Sequence, residues 1–333
     1  MKLARRKFLH LAAGAVALPA ISRVGKAKTY PTRPITIVVP YAAGGSTDLI
    51  SRVVAERMRR WLRQPIIVEN VSGADGSIGT ARVVGARPDG YTIVLGGIST
   101  LVFNGALYSL PYDVLNSVTP ISPLVTTPFV LLARKTMPAN SLYELIDWLK
   151  NNLDKASAWI VSSSVHVVTA FFQKEAGTKF TLVPYRGAAP AVQDLAAGQI
   201  DLAFFTPDQL PLARAGSTKA YEVTSDTRLA RAQDIPTFRE MGLPTVSYSG
   251  WLAFFGPKDI PKEIVAKLNA AAADALADSV VQSQLADLGI EIFPRERQTP
   301  EVLGALQRAD AEKWWPIIQQ LGISGSATTV VPR

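Results

Sequence analysis

One local pattern recurs along the chain and constrains its fold more than any other feature. A short β-branched run leads into a glycine-bearing turn, and apolar residues at helical spacing follow. Pro34-Ile35-Thr36-Ile37-Val38-Val39-Pro40 reads as a buried strand closed by proline. Tyr41-Ala42-Ala43-Gly44-Gly45-Ser46-Thr47-Asp48 comes next, and Leu49, Ile50, Val53, Val54 and Met58 then fall on one side of a helix. The unit repeats with a strand at Ile66-Ile67-Val68-Glu69-Asn70, a turn from Ser72 to Gly79, and a helix over about 78–86. Pro88-Asp89-Gly90 turns the chain into a third strand from Tyr91 to Leu95. Strands alternating with helices predict a parallel sheet covered on both faces.

A second series follows the apolar run Leu124 to Ala133. Ser141 caps a helix through Lys150, with Leu142, Leu145, Ile146 and Leu149 in one stripe. Strands are expected at Trp159 to Ser162, Phe180 to Val183 and Ile200 to Phe205, and helices at Val165 to Ala176 and Pro190 to Ala197. A second long apolar segment, Val246 to Phe255, precedes two final helices at Lys262 to Ala277 and Glu301 to Leu321. With 333 residues and roughly one domain per 150 residues, two units are expected. If both apolar segments cross between them, residues 126–252 form a lobe inserted into a first lobe of residues 28–125 plus 253–333. Two crossings make a hinge, and the cleft between lobes is the default ligand site.

The net charge of +8 points first toward nucleic acid or an anionic surface. Its distribution removes that reading. Residues 1–27 hold six basic residues and no acidic ones, and without them Lys+Arg stand at 29 against 27 Asp+Glu. The same segment has the layout of an export signal. Arg5-Arg6-Lys7-Phe8-Leu9 leads an apolar stretch to Ile21, and Gly25-Lys26-Ala27 offers small residues at a cleavage site. The arginine pair resembles a twin-arginine signal, with Ala4 where such signals usually carry a polar residue. The expected mature chain starts near Lys28 and works in the periplasm. The absence of cysteine excludes disulfides, thiolate metal sites and cysteine nucleophiles.

Four segments carry candidate chemistry. At Tyr41 to Asp48, a glycine pair lets the backbone approach a ligand while the first helical N–H groups stay unpaired, which suits a carboxylate or phosphate. The bland alternative is a glycine turn in which Asp48 caps the helix and pairs with Arg52. Gly73, Gly76 and Gly79 form either a second amide nest or a tight loop. They match neither the dinucleotide fingerprint nor a P-loop. Ser162-Ser163-Ser164 caps the helix that carries His166, the one histidine outside the leader. A lone histidine builds no usual zinc site, and no G-x-S-x-G elbow accompanies it, so it reads as a capping or packing residue at the cleft edge. Val183-Pro184-Tyr185-Arg186-Gly187-Ala188-Ala189-Pro190 places a tyrosine, an arginine and a free helix start at a strand end. Arg186 either pairs with a carboxylate or is solvated.

Taken in order, several motifs resemble the extracytoplasmic receptors of tripartite tricarboxylate transporters, the Bug family. They are Tyr30-Pro31-x-Arg33-Pro34-Ile35, Val39-Pro40-Tyr41-x-x-Gly44-Gly45-x-x-Asp48 and Asn70-x-x-Gly73-Ala74-x-Gly76-x-x-Gly79. Pro88-Asp89-Gly90-Tyr91-Thr92, Val183-Pro184-Tyr185-x-Gly187-Ala188-Ala189-Pro190, Gly198-Gln199-Ile200-Asp201 and Pro236-Thr237-x-x-Glu240-x-Gly242 extend the match over nearly all of the mature chain. The resemblance implies an α/β, two-lobed type II periplasmic-binding fold, with mixed sheets, helices on both faces and two crossover segments at a hinge. It implies a periplasmic solute-binding receptor that takes a small organic acid and delivers it to membrane transporter subunits. No catalysis, cofactor, metal or nucleic-acid partner is expected, and the receptor is expected to be a monomer. A sensory receptor of the same fold and an exported α/β enzyme are the alternatives.

Carried over by motif, the implied ligand-binding residues of lobe one are Tyr41, Ala43, Gly44, Ser46, Thr47 and Asp48, with Gly76, Ser77 and Ser99 beside them. Ile98 and Thr100 flank Ser99 after the third strand. Lobe two is expected to contribute Ser162, Ser163, Ser164, His166, Tyr185, Phe205 and Thr206. The chain departs from the family in two places. Its loop before the histidine is shorter, and it reads Phe205-Thr206-Pro207-Asp208 where Asp-Asn is common.

Overall fold

A computed structural model describes residues 30–185 and 187–323. The expected export leader and Arg186 lie outside the described residues. The first segment runs β1 (Ile35–Val39), α1 (Ser46–Leu62), β2 (Ile66–Asn70), α2 (Ser77–Val84), β3 (Thr92–Gly97), α3 (Asn104–Leu107) and β4 (Val118–Pro128). The middle segment runs β5 (Val130–Arg134), α4 (Leu142–Asn151), β6 (Ser157–Ile160), α5 (Ser163–Ala176), β7 (Thr181–Pro184), α6 (Ala188–Ala197), β8 (Leu202–Phe205), α7 (Leu210–Arg214) and β9 (Thr218–Val223). The chain then passes through β10 (Ser249–Pro257), α8 (Lys262–Ala277), α9 (Ser279–Asp287), β11 (Glu291–Ile292) and α10 (Pro300–Gln320).

These strands form two mixed sheets, in the orders β11-β4-β10-β3-β1-β2 and β7-β6-β8-β5-β9. As expected of the strand–helix units, β1 pairs in parallel with β2 and β3, and β6 with β7 and β8. The antiparallel members are β4, β10 and β11 in the first sheet and β5 and β9 in the second. β4 passes through Phe129 directly into β5, and β10 brings the chain back with Ser249 opposite Pro128. The two crossings therefore lie side by side. The expected boundaries 125/126 and 252/253 fall inside β4 and β10.

Local chemistry explains where the helices start and stop. Ser141 Oγ accepts the Glu144 N–H and Ser162 Oγ accepts the Val165 N–H, while Gly198 ends α6 at φ +76°. α9 was not expected. It follows α8 after one residue, because the Asp278 carboxylate accepts the Val280 and Val281 amides and restarts the helix. α8 packs on α1 and β4, and α10 packs on β4, so the C-terminal helices return to the first sheet. α10 also reaches the other lobe. Trp314 meets Phe103 at 5.5 Å, Tyr248 at 5.8 Å and Phe171 of α5 at 5.8 Å, each edge to face. No helix among the described residues is long and apolar enough to cross a membrane.

Candidate functional site

The first strand-to-helix loop is held rigid by Asp48. Its Oδ2 accepts the Gly44 N–H at 2.9 Å and Arg52 Nε at 3.1 Å, and its Oδ1 accepts Asn70 Nδ2 at 3.1 Å. Burial alone would raise this carboxyl, but the hydrogen bonds from Arg52, Gly44 and Asn70 outweigh it and hold the group below its ordinary pKa. Asn70 Nδ2 also donates to the Tyr41 carbonyl at 3.1 Å, tying the loop to the end of β2. The side chain of Asp48 is thus spent on the loop itself. Gly45 at the N-cap has no side chain to cap α1. The amides of Ser46, Thr47 and Asp48 have no protein partner among the described residues, and the first backbone bond of the helix is Leu49 N–H to Gly45 C=O.

The second glycine segment is a tight loop. Gly73, Ala74, Asp75 and Gly76 all have positive φ, and a Cβ on Gly76 would lie 2.6 Å from Thr100 Cγ2 and 3.2 Å from Pro40. This geometry turns Asp75 toward the other lobe. Its Oδ2 accepts the Ser163 N–H at the start of α5, 2.8 Å away. Ser163 Oγ donates to Asn104 Oδ1 at 3.0 Å, and Asn104 Nδ2 donates to the Asp75 carbonyl at 2.9 Å and Ser77 Oγ at 3.1 Å. Ser99 Oγ and Ser164 Oγ share a further hydrogen bond across the lobes, and Tyr248 donates to Ser164 Oγ at 3.1 Å. The lobes therefore meet through a seam of hydrogen bonds at the start of α5.

Beside that seam lies a cavity of about 250 Å³ that draws on both sheets. Tyr41, Ser46, Thr47 and Ser99 line it from the first lobe, and Ser162, Ser164, Phe205 and Thr206 from the second. Gly45 and Ala188 line it too, so the starts of α1 and α6 both border the cavity. Gly187, at the N-cap of α6, likewise supplies no side-chain cap. Among the described lining residues there is no Lys, Arg or His. Among the described residues, the polar groups that border the cavity are backbone amides and hydroxyls, two helix N-termini among them.

Ser163, His166 and Tyr185 sit apart from this cavity. They border a smaller one of about 130 Å³ with Asp75 and Tyr108, on the far side of Ser162. Burial holds His166 below its ordinary pKa and so favours the neutral imidazole. Tyr185 donates to Asp194 Oδ2 at 2.6 Å, and burial together with that carboxylate pushes the phenol up to about 12. Ala43, Gly44, Asp48, Gly76 and Ser77 line neither cavity. Gly44, Asp48, Gly76 and Ser77 build the loops and the seam instead.

Sequence reasoning missed the aromatic wall of the larger cavity: Phe129, Trp159, Tyr248 and Trp251. Phe129 and Trp251 lie within the two apolar segments read as crossings, and Trp159 lies in β6. Periodicity marks such residues as buried but cannot tell a core face from a cavity face.

The chain is similar to known proteins over most of its length. The model of the tripartite tricarboxylate transporter family receptor matches residues 50–323. The periplasmic binding protein BugD is 34% identical, with a TM-score of 0.81 over 89% of this chain and 99% of that one. MatC from Rhodopseudomonas palustris, solved with bound malate, is 34% identical with a TM-score of 0.80 over 87% and 100%. Rpa4515 of R. palustris, solved with adipate, is 28% identical with a TM-score of 0.81 over 89% and 99%.

Proposed function

Because the chain belongs to the tripartite tricarboxylate transporter receptor family, we propose that it captures a small organic carboxylate between its lobes and presents it to the membrane subunits of such a transporter. The family is one of solute-binding receptors, which agrees with a site built on amides and hydroxyls. The observation that carries the reading is the cavity at the uncapped start of α1, where the Ser46 and Thr47 amides have no protein partner among the described residues. A carboxylate there accepts charge-assisted hydrogen bonds and sits at the positive end of a helix dipole. Lobe two closes over it with Ser162, Ser164, Phe205 and Thr206. The malate and adipate held by MatC and Rpa4515 support an organic acid as the ligand class. The basic, apolar leader of residues 1–27 supports a periplasmic site of action.

A panel of organic acids screened by thermal shift on the mature protein tests the reading. A ligand at ~100 times its Kd adds about 2.7 kcal/mol, which raises the melting temperature by several degrees for a chain of this size. Solution scattering should show compaction with the same ligand, since it touches both lobes. Preference for neutral or cationic solutes over acids would refute the assignment.

A further inference from the structure

We propose that the carboxylate this receptor selects carries an aromatic ring; the inference rests on the carboxylate-receptor reading and narrows it. Beside the hydroxyls of Thr127, Ser162, Ser164 and Thr206, most of the remaining side-chain lining is apolar, and aromatic rings belong to it. Trp159 and Phe205 stand together in lobe two, with ring centroids 4.4 Å apart and planes at 34°. Phe129 and Tyr248 stack at 5.3 Å and 6°, and Trp251 adds a third aromatic surface.

The polar atoms of these rings are already committed elsewhere. Trp159 Nε1 donates to the Phe204 carbonyl at 3.0 Å, Trp251 Nε1 to Asp310 Oδ2 at 2.7 Å, and Tyr248 Oη to Ser164 Oγ at 3.1 Å. These rings are themselves buried, Phe205 and Trp251 most completely, and reach the cavity only by the small part of face and edge left open, with Ile98, Val161, Val165 and Leu252 between them. Such a surface favours a planar aromatic body in edge-to-face or offset contact. A short aliphatic acid would leave much of this apolar surface uncovered, whatever its second polar group finds among the Ser162, Ser164 and Thr206 hydroxyls.

The size agrees. A dry cavity of about 150 Å³ accepts benzene. The observed cavity of about 250 Å³ leaves space for one carboxylate and a water or two beside the ring. The carboxylate end is set by the α1 amides and the ring end by Trp159, Phe205 and Phe129.

Isothermal titration of the mature protein with benzoate, phenylacetate, adipate and malate decides the matter. At least one of the two ring acids should bind tenfold or more tightly than either aliphatic acid. Tighter binding of adipate or malate than of both ring acids would overturn the inference while leaving the carboxylate reading standing. Benzamide or benzylamine binding better than benzoate would instead remove the carboxylate reading. Phe205→Leu should lower the preference for the ring acid over the aliphatic acids about tenfold, whatever it does to both. An equal loss for both classes would mean that the ring wall is structural only.

Discussion

Replacing Asp75 with asparagine would separate the charge of the interlobe seam from its hydrogen bonding. The Asp75 carboxylate accepts the Ser163 N–H across the lobes, and its Oδ1 is buried with no hydrogen-bond partner among the described residues. Burial pushes this carboxyl up from 3.8 to about 6, against the opposing effect of the Ser163 hydrogen bonds. With the lobes apart, Asp75 faces water and titrates near its ordinary value. At ~1.36 kcal/mol per pH unit, the gap amounts to about 3 kcal/mol between the joined and parted states.

The sign follows from linkage. A carboxyl raised in the joined state stabilises that state fully below about pH 4, and the contribution is lost as pH climbs through about 6. The closing equilibrium should therefore weaken about fiftyfold between pH 4 and 7. Ligand affinity should follow to the extent that the joined population falls below one. The amide oxygen introduced by Asp75→Asn would still accept the Ser163 N–H but carries no charge, so the variant should lose this pH dependence.

His166, which borders the same small cavity, is displaced downward by burial, so its effect has the opposite sign. Burial pushes the phenols of Tyr41, Tyr108 and Tyr112 upward, away from this window, and the charge of nearby Asp75 adds to it. The difference between wild type and variant therefore isolates Asp75. The assay is the radius of gyration by solution scattering, with ligand titrations in parallel, from pH 4.5 to 7.5. The same pH slope in wild type and Asp75→Asn, or a wild type more compact at pH 7 than at pH 4.5, would refute the reasoning.

Gly45 borders the cavity at ordinary backbone angles, and its nearest contact for an added Cβ is the Ala42 carbonyl at 3.7 Å. Gly45→Val should therefore keep the fold while covering the α1 amides, lowering carboxylate affinity tenfold or more by calorimetry; unchanged affinity would place the anion elsewhere. Gly44 is the contrasting position: it lies outside the cavity at φ +85° with open space around a Cβ, so Gly44→Ala should cost about 1 kcal/mol of stability with little loss of affinity. Glu222 on β9 is buried, its Oε2 has no partner among the described residues, and burial raises it from 4.5 to about 8. Stability is lost as pH rises between those values, so Glu222→Gln should gain about 3 kcal/mol over wild type at pH 7 and almost nothing at pH 4.5; an equal difference in melting temperature at both would contradict this. Changing Arg5 and Arg6 to lysine should leave unprocessed precursor in the cytoplasm, and normal processing would show that the arginine pair is not needed for export.

The elements that depend on near neighbours were legible in the residues. β2 runs over the expected Ile66–Asn70, Ser141 caps its helix, and Gly198 ends the helix before it. Each of these depends on residues within a turn or two of each other, and the information is local. The order of motifs along the chain also carried the family, because a family is a property of sequence.

The site depended on contacts that no local pattern contains. Asp75 looks like a turn residue, and so it is, but its carboxylate meets an amide 88 residues away in the chain. Ser99 and Ser164 are 65 apart, and Tyr248 and Ser164 are 84 apart. Trp159 and Trp251 are apolar residues in strands and Phe129 joins two strands, and the residues alone do not say which of them faces a cavity. That is decided when β10 inserts between β3 and β4 and the two crossings align, which brings the strand ends of both sheets to one cleft. Periodicity reports which side of an element is buried. Only packing decides whether that side meets another wall of protein or the space left for a ligand.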